Sequence, residues 1–319
     1  MKIVFMGTPD FAVPSLDALI QNGFNIEAVV TAPDKERGRG REMSVTPIKK
    51  YALDQKLEVL APFSLKDERF ISRLRAINPD LMIIVAFRIL PKEVYSISRI
   101  GTFNLHGSLL PRYRGAAPIQ WAIFNGDTET GVTTFFLEDK IDTGNIILQE
   151  KLLIEPEDNF GTLHDKMMVL GAETMLRTVN LINSGNFKLR KQNDSLSSFA
   201  PKITKETCLI DLNKSAVYIH NLIRGLSPYP GAVLQFNGKS YKIFKSRIPE
   251  MEGAGREHRG IHDSLPAVSP QGSASRLFQS KKEIFIETSA GVLEILELQP
   301  EGRKRMTTEE FLRGYTFVK

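Results

Sequence analysis

The sequence predicts an α/β protein: a Rossmann-like, doubly wound and mostly parallel sheet, followed by a small β-barrel domain of OB-like type. Three observations carry that prediction. Short β-rich runs alternate with helical patterns over the first two hundred residues, the pattern of strands joined by covering helices. One of those runs, LMIIVAF from Leu81 to Phe87, is apolar throughout, as a strand buried on both faces must be. In the last third the pattern changes to pairs of alternating runs separated by tight turns, which suits a small barrel or sandwich of hairpins.

Taken in order, KIVFMG (Lys2 to Gly7) reads as a buried strand and FAVPSLDALIQNG as a helix closed by Gly23, because glycine accepts the left-handed conformation that ends helices. IEAVVTAPD and LEVLAP are the next two strands, and Lys66 to Ile77 is helical in spacing. LMIIVAF and GTFNLHG follow as strands, then AAPIQWAIFNG as a helix, then TGVTTFFLED and NIILQEKLLI as a strand pair. A long amphipathic helix runs from Phe160 to a stop at Gly185. The polar stretch beyond it is the expected linker. Domain limits of 1–189, 190–206 (linker) and 207–319 follow. In the last part, Ser215 to Gly225 is helical, PGAVLQFNGKSYKIFKS is a hairpin on an NGK turn, and EIFIETSAGVLEILELQ is a second hairpin turned at Ala290 and Gly291. Pro249 to Ser280, rich in Gly, Ser, Pro and His, reads as a loop.

Composition narrows the class. With 319 residues, two domains are expected, and 42% hydrophobic with 25% charged residues is ordinary for a soluble protein. No apolar run approaches bilayer length and the start MKIVFMGTPD lacks a signal-peptide design, so a cytoplasmic location without a membrane partner is expected. The single cysteine, Cys208, excludes an internal disulfide and a thiolate metal site, and its apolar surroundings suggest a buried structural thiol. Residues 1–206 carry 26 basic and 25 acidic groups, residues 207–319 carry 16 and 12. Nearly all of the net charge of +5 therefore lies in the last third, which hints at a polyanionic partner and suits a solvated surface equally.

The stretch GTFNLHGSLLPRYRGAAPIQ concentrates the chemistry. Asn104 and His106 stand two residues apart at the end of a strand, so their side chains share a face. Ligands of open parallel sheets bind beyond the strands' carboxyl ends, and the turn begins at Gly107. A third polar group is required to orient the imidazole. EDKIDTGNIILQ offers Asp142 in a turn, with Asp139 as a rival and a local Asx cap as the bland alternative for Asp142. The first turn, MGTPDF, has one glycine rather than G-x-G-x-x-G, so a dinucleotide fingerprint is absent. The remaining histidines, His164, His220, His258 and His262, lack a ligand set, and no metal is expected.

NLHGSLLPRYRGAAPIQ together with IDTGNIILQ resembles the formyltransferase family that uses 10-formyltetrahydrofolate. FMGTPDFA, PDKERGRG, IRGLSPYPGA and EGRKRMTTEEFLRG extend the likeness along essentially the whole chain. They narrow it to the branch whose acceptor is methionyl initiator tRNA. The resemblance implies Asn104, His106 and Asp142 as catalytic residues, and Ser108, Leu109, Leu110 and Pro111 as the folate-contacting segment. It also touches Phe11 as a methionine-pocket residue, though a core aromatic is the commoner explanation. One departure is AFRILP, with Arg88 where the family's turn contains Gly and is slightly longer. Formyl transfer passes through a tetrahedral oxyanion, which needs waiting donors such as Asn104 and His106. The nucleophile is the substrate amine.

RNA contacts are expected from basic residues. Arg37, Arg39 and Arg41 alternate with small residues after the second strand, and the resemblance gives such a loop, Arg39 foremost, a role at the acceptor end of tRNA. Lys49 and Lys50 follow it. Arg303, Lys304 and Arg305, with Lys239, Lys242, Lys245 and Arg247, offer phosphate contacts in the second domain. The partners implied are methionyl initiator tRNA and a folate, with the chain acting as a monomer. A formate-releasing hydrolase, a transferase with a small amine acceptor and a noncatalytic RNA-binding module are the competing readings.

Overall fold

The computed structural model describes residues 1–37, 42–249 and 276–316. The chain divides into two compact units: one of residues 1–119, 128–154 and 162–202, the other of 120–127, 155–161 and 203–319.

In chain order, the elements up to residue 200 are β1 (Lys2–Gly7), α1 (Val13–Gln21), β2 (Asn25–Val30), β3 (Lys35–Arg37), β4 (Glu42–Ser44), α2 (Pro47–Asp54), β5 (Val59–Leu60), α3 (Glu68–Ile77), β6 (Leu81–Val85), α4 (Lys92–Tyr95), β7 (Gly101–His106), β8 (Arg114–Gly115), α5 (Pro118–Phe124), β9 (Glu129–Phe136), β10 (Ile146–Leu153), α6 (Phe160–Asn183) and β11 (Phe199–Ala200). Local chemistry sets their ends. Thr46 caps α2 by accepting the Lys49 N–H, with Pro47 at its first turn. Asp67 caps α3 through the Arg69 and Phe70 amides, and Asn78 closes it at φ 49°. Phe70, Leu74 and Ile77 of α3 are buried, the i, i+4, i+7 spacing of an inward face.

The main sheet has seven strands in the order β10-β9-β7-β6-β1-β2-β5. The strands from β7 to β5 are parallel, while β9 and β10 run antiparallel at one edge. The expected doubly wound, mostly parallel architecture is therefore present. β6 lies between β1 and β7 with every residue buried, which is why its sequence has no polar alternation. LEVLAP contributes only the two-residue strand β5, at the far edge.

Residues 190–202 of the expected linker belong to the first unit. Arg190 bridges Ile146 by two backbone hydrogen bonds, and β11 pairs in parallel with β8. The polar composition of this stretch reflects hydrogen bonding to backbone groups of the first unit, described below.

The second unit contains α7 (Ala216–Gly225), β12 (Ala232–Phe236), β13 (Lys239–Arg247), β14 (Leu277–Gln279), β15 (Ile284–Glu287), β16 (Val292–Pro300), β17 (Met306–Thr307) and α8 (Thr308–Gly314). Among the described residues its sheet is antiparallel and curled into a half-barrel, in the order β12-β13-β16-β15-β14 with β17 on β16. The NGK hairpin turns on Asn237 at φ 48° and Gly238 at φ 72°, the two positive values such a turn demands. Its core gathers Ile219, Leu222, Ile223, Ile243, Ile295, Leu298 and Phe311 with Cys208, whose buried thiol matches the expectation for that residue. Within the stretch read as a loop, residues 250–275, including His258 and His262, lie outside the described residues, whereas Leu277–Gln279 pairs with β15 as a strand. Among the described residues no helix is long and apolar enough to cross a membrane.

Candidate active site

A cleft of about 330 Å³ opens against β6 and β7. Ile84 and Asn104 are register partners on these strands, and both line it. Residues 87–92 and Tyr95 form one wall, and 137–142 form the other. The walls combine apolar side chains (Phe87, Leu90, Leu137, Ile141) with polar and charged ones (Arg88, Lys92, Tyr95, Glu138, Asp139, Lys140).

Asn104 is half-buried in this cleft, and its carboxamide has no side-chain hydrogen-bond partner among the described residues. A carboxamide in a protein interior is normally satisfied, so this one is available to a ligand. His106, the last residue of β7, is buried. Its Nε2 stands 2.9 Å from the Tyr113 carbonyl oxygen. A carbonyl only accepts, so Nε2 carries the hydrogen and, in the neutral ring, Nδ1 does not. Nδ1 lies 3.9 Å from Asp142 Oδ2, a charge-pair distance longer than a hydrogen bond. The ring is thus oriented by Tyr113, where the sequence pointed to Asp142, because the turn after Ser108 returns a carbonyl to the strand's end.

Asp142 adopts φ 54°, a left-handed conformation uncommon outside glycine. Its Oδ2 accepts the Gly115 N–H at 2.8 Å, a partner far along the chain, so the side chain is no local Asx cap. The rival, Asp139, also lines the cleft but is occupied elsewhere: it binds the Tyr95 hydroxyl at 2.6 Å and Lys92 at 2.9 Å. The Tyr95 hydroxyl and then Lys92 hold its carboxyl below the usual carboxylate range. Of these two carboxylates, Asp142 is the one brought to His106.

Ser108 to Pro111 form a tied turn and do not line the cleft. Ser108 is fully buried and donates its hydroxyl to the Arg112 carbonyl at 2.6 Å. Thr133 donates to the Ser108 carbonyl and accepts the Leu110 N–H, and Leu110 packs with Phe135 and Ile146. Phe11 is buried with its ring 5.2 Å from that of His164. Arg88 lines the cleft and donates to the Pro62 and Phe63 carbonyls, and burial pushes its guanidinium below the ordinary arginine value. Arg39 and Arg41 lie outside the described residues, and Arg37 ends β3. In the second unit Arg305 is paired with Glu297 and stacked over Phe244, Arg303 sits over Tyr315, and Lys304 has no partner among the described residues.

Sequence reasoning missed Gln192, Arg114, Tyr113 and Ser198. Gln192 and Arg114 are 6% and 7% exposed, although neither sits in a periodic pattern. A buried polar side chain that serves backbone carbonyls has no signature in hydropathy.

One open α/β sheet thus presents a carboxamide to the cleft, with an imidazole and a carboxylate beside it. Residues 1–179 match the family described as "Formyl transferase", and residues 202–316 match "Formyl transferase, C-terminal domain". A relative from Flavobacterium johnsoniae named methionyl-tRNA formyltransferase is 46% identical, covering 99% of this chain and 97% of its own. One of the same name from Bacteroides fragilis is 44% identical over 99% of this chain and 95% of its own. The chain belongs to the methionyl-tRNA formyltransferase family. The fold is also that of WlaRD, a sugar 3N-formyl transferase crystallised in the presence of dTdp and 5-N-Formyl-THF, with a TM-score of 0.64 at 22% identity over 95% of this chain and 99% of the other.

Proposed function

We propose that the protein transfers a formyl group from 10-formyltetrahydrofolate to the α-amino group of methionyl initiator tRNA, acting as a monomer in the cytoplasm to prepare that tRNA for initiation of protein synthesis. The observation that carries this reading is the unpartnered Asn104 carboxamide in a cleft of mixed polar and apolar lining, beside His106 and Asp142. The cleft's volume falls in the range of small-molecule sites. Its apolar side chains (Phe87, Leu90, Leu137, Ile141) suit a flat aromatic ring system, and Asn104 offers a polar contact at its floor on β7.

In the reaction the amine nitrogen bonds to the formyl carbon and the folate nitrogen–carbon bond breaks. Between these events the carbonyl oxygen carries negative charge, which Asn104 Nδ2–H stabilises by donation; a single such donor lowers the barrier by about 3–4 kcal/mol. His106 Nε2–H is committed to Tyr113, so Nδ1 handles the proton. It takes the proton shed by the attacking amine, directly or through water, and returns one to the departing folate nitrogen. The Asp142 carboxylate, 3.9 Å away, compensates the charge that the ring then carries. Arg37, Arg39 and Arg41 would position the acceptor end, and Arg303 and Lys304 would meet phosphates, while Arg305 is held by Glu297 and Phe244.

The test supplies 10-formyltetrahydrofolate with methionyl initiator tRNA and follows formylmethionyl-tRNA, beside a small-amine acceptor and a no-acceptor arm. Formylation of the charged tRNA alone is expected. Product on the small amine, or release of formate without an acceptor, would replace this reading with the corresponding transferase or hydrolase.

A further inference from the structure

We infer that Gln192 is a positioning residue for the transfer reaction, and that the stretch from Gln192 to Ala200, read in the sequence as an inter-domain tether, is a structural member of the active site. The inference rests on the function proposed above, and it explains a set of contacts that function alone does not require.

Both ends of the Gln192 side chain are used. Its Nε2 donates to the carbonyl oxygens of Asp142 and Gly144, each at 2.9 Å. Its Oε1 accepts from Arg114 Nε at 3.1 Å and Nη2 at 2.7 Å. Arg114 also donates to Asp194 at 2.7 Å, which holds that carboxyl below the usual carboxylate range. The next residue, Gly115, supplies the N–H that binds the Asp142 carboxylate. Asp142 is therefore gripped twice, through its backbone by Gln192 and through its side chain by the strand that Gln192 anchors. Its φ of 54° is a conformation that a non-glycine residue adopts only at a cost and keeps only where neighbours impose it.

A second line of contacts reaches His106 from the same stretch. Ser198 Oγ accepts the Tyr113 N–H at 2.9 Å, and the Tyr113 carbonyl accepts His106 Nε2–H. The Ser198 and Ala200 carbonyls accept the Arg114 and Ala116 amides. A Cβ at Gly115 would stand 2.7 Å from the Ala200 oxygen, so the two short strands meet too closely for any other residue there. The acid–base pair is thus set by one segment at two points.

Glutamine is suited to its place by elimination. The site requires two donors toward carbonyls and an acceptor toward a guanidinium. Glutamate lacks the donors and lysine lacks the acceptor. Gln192→Glu keeps shape and strengthens the partner interaction with Arg114, yet it sets an anion against the Asp142 and Gly144 carbonyls and frees the turn.

The test compares wild type, Gln192→Glu and Ser198→Ala by thermal unfolding, single-turnover transfer, binding of donor and of tRNA, and the NMR resonance and exchange rate of the Gly115 amide proton. For a folded Gln192→Glu protein the expected result is a transfer rate lower by about a hundredfold, as for displacement of a catalytic group by about 1 Å, with both affinities retained. The Gly115 amide should also shift upfield and exchange faster, as in Asp142→Asn. A folded Gln192→Glu variant with wild-type transfer and an unchanged Gly115 resonance overturns the inference. Should that variant fail to fold, Ser198→Ala decides: wild-type transfer there overturns it and slowed transfer with retained binding supports it. If wild type itself does not formylate methionyl-tRNA, the proposed function fails, while the Gly115 resonance still reports on positioning.

Discussion

Replacing Gly144 with alanine tests the link between the turn's geometry and transfer. A Cβ built at Gly144 would stand 1.7 Å from the Phe136 carbonyl oxygen, 2.9 Å from its carbon and 3.3 Å from Phe135 Cδ2. Real Cβ atoms do not approach within 3.0 Å, so the backbone must yield by roughly 1.3 Å, the difference between 3.0 and 1.7 Å. Phe136 is poorly placed to move. It ends β9, register-paired with Phe103 of β7, and its ring stands edge-on to Phe103. The displacement falls instead on the 142–144 turn, and Asp142 moves with it. Misplacing a catalytic group by about 1 Å costs on the order of a hundredfold in rate, and crowding of this kind costs about 1–3 kcal/mol of stability. Rapid-quench transfer at saturating donor and methionyl-tRNA, beside urea unfolding, separates the two effects. Gly225→Ala is the control: its Cβ would lie 2.5 Å from the Phe124 ring within the second unit, so stability should fall without a matching loss of chemistry. A folded Gly144→Ala protein transferring within about threefold of wild type would refute the claim that this turn positions the reaction.

Asn104→Ala should lower the transfer rate by about 10²–10³ with stability unchanged, since it removes an unpartnered donor and little packing; normal turnover by that variant would remove Asn104 from the mechanism. Asp142→Asn should be severe and Asp139→Asn mild, because Asp139 is engaged by Tyr95 and Lys92; the reverse order, read by the same assay, would reassign the carboxylate. His220 is held below the ordinary histidine value by burial and then by Arg224, so the folded state resists its protonation. Its share of stability is full above a pH of about 6.5 and declines as pH falls through that value toward the lower folded one. His220→Asn should flatten the acid limb of a stability–pH curve, and an unaltered limb would count against that burial. Lys304→Ala should reduce the slope of log affinity against log salt for tRNA by about 0.9, the loss of one phosphate contact to duplex, whereas Arg305→Ala should chiefly lower stability because Arg305 already pairs with Glu297 and covers Phe244. An unchanged slope for Lys304→Ala would leave that lysine as solvated surface.

By itself the sequence determined the alternation of strands and helices, the buried centre of the sheet and the pair Asn104 and His106. These are local or periodic properties. LMIIVAF has to be central because it has no polar face, and residues 104 and 106 share a face because side chains alternate along a strand. Glycine stops and turns were legible for the same reason: Gly23 and the Asn237–Gly238 pair sit at the positive φ values their neighbours require. Only the tertiary structure decided which carboxylate meets the imidazole. Asp139 and Asp142 are three residues apart and equivalent by turn chemistry, yet one faces Tyr95 and Lys92 while the other meets Gly115 and His106. It alone showed that the ring is hydrogen-bonded to the Tyr113 carbonyl, and that Ser108 and Leu110 are buried in a tied turn. It also showed that Gln192, in a stretch that reads as tether, is buried beneath the Asp142 turn. The physical reason is common to all of these. Each depends on which backbone carbonyls and amides come together from distant parts of the chain, and backbone groups are the same at every residue, so no residue type records where they will meet.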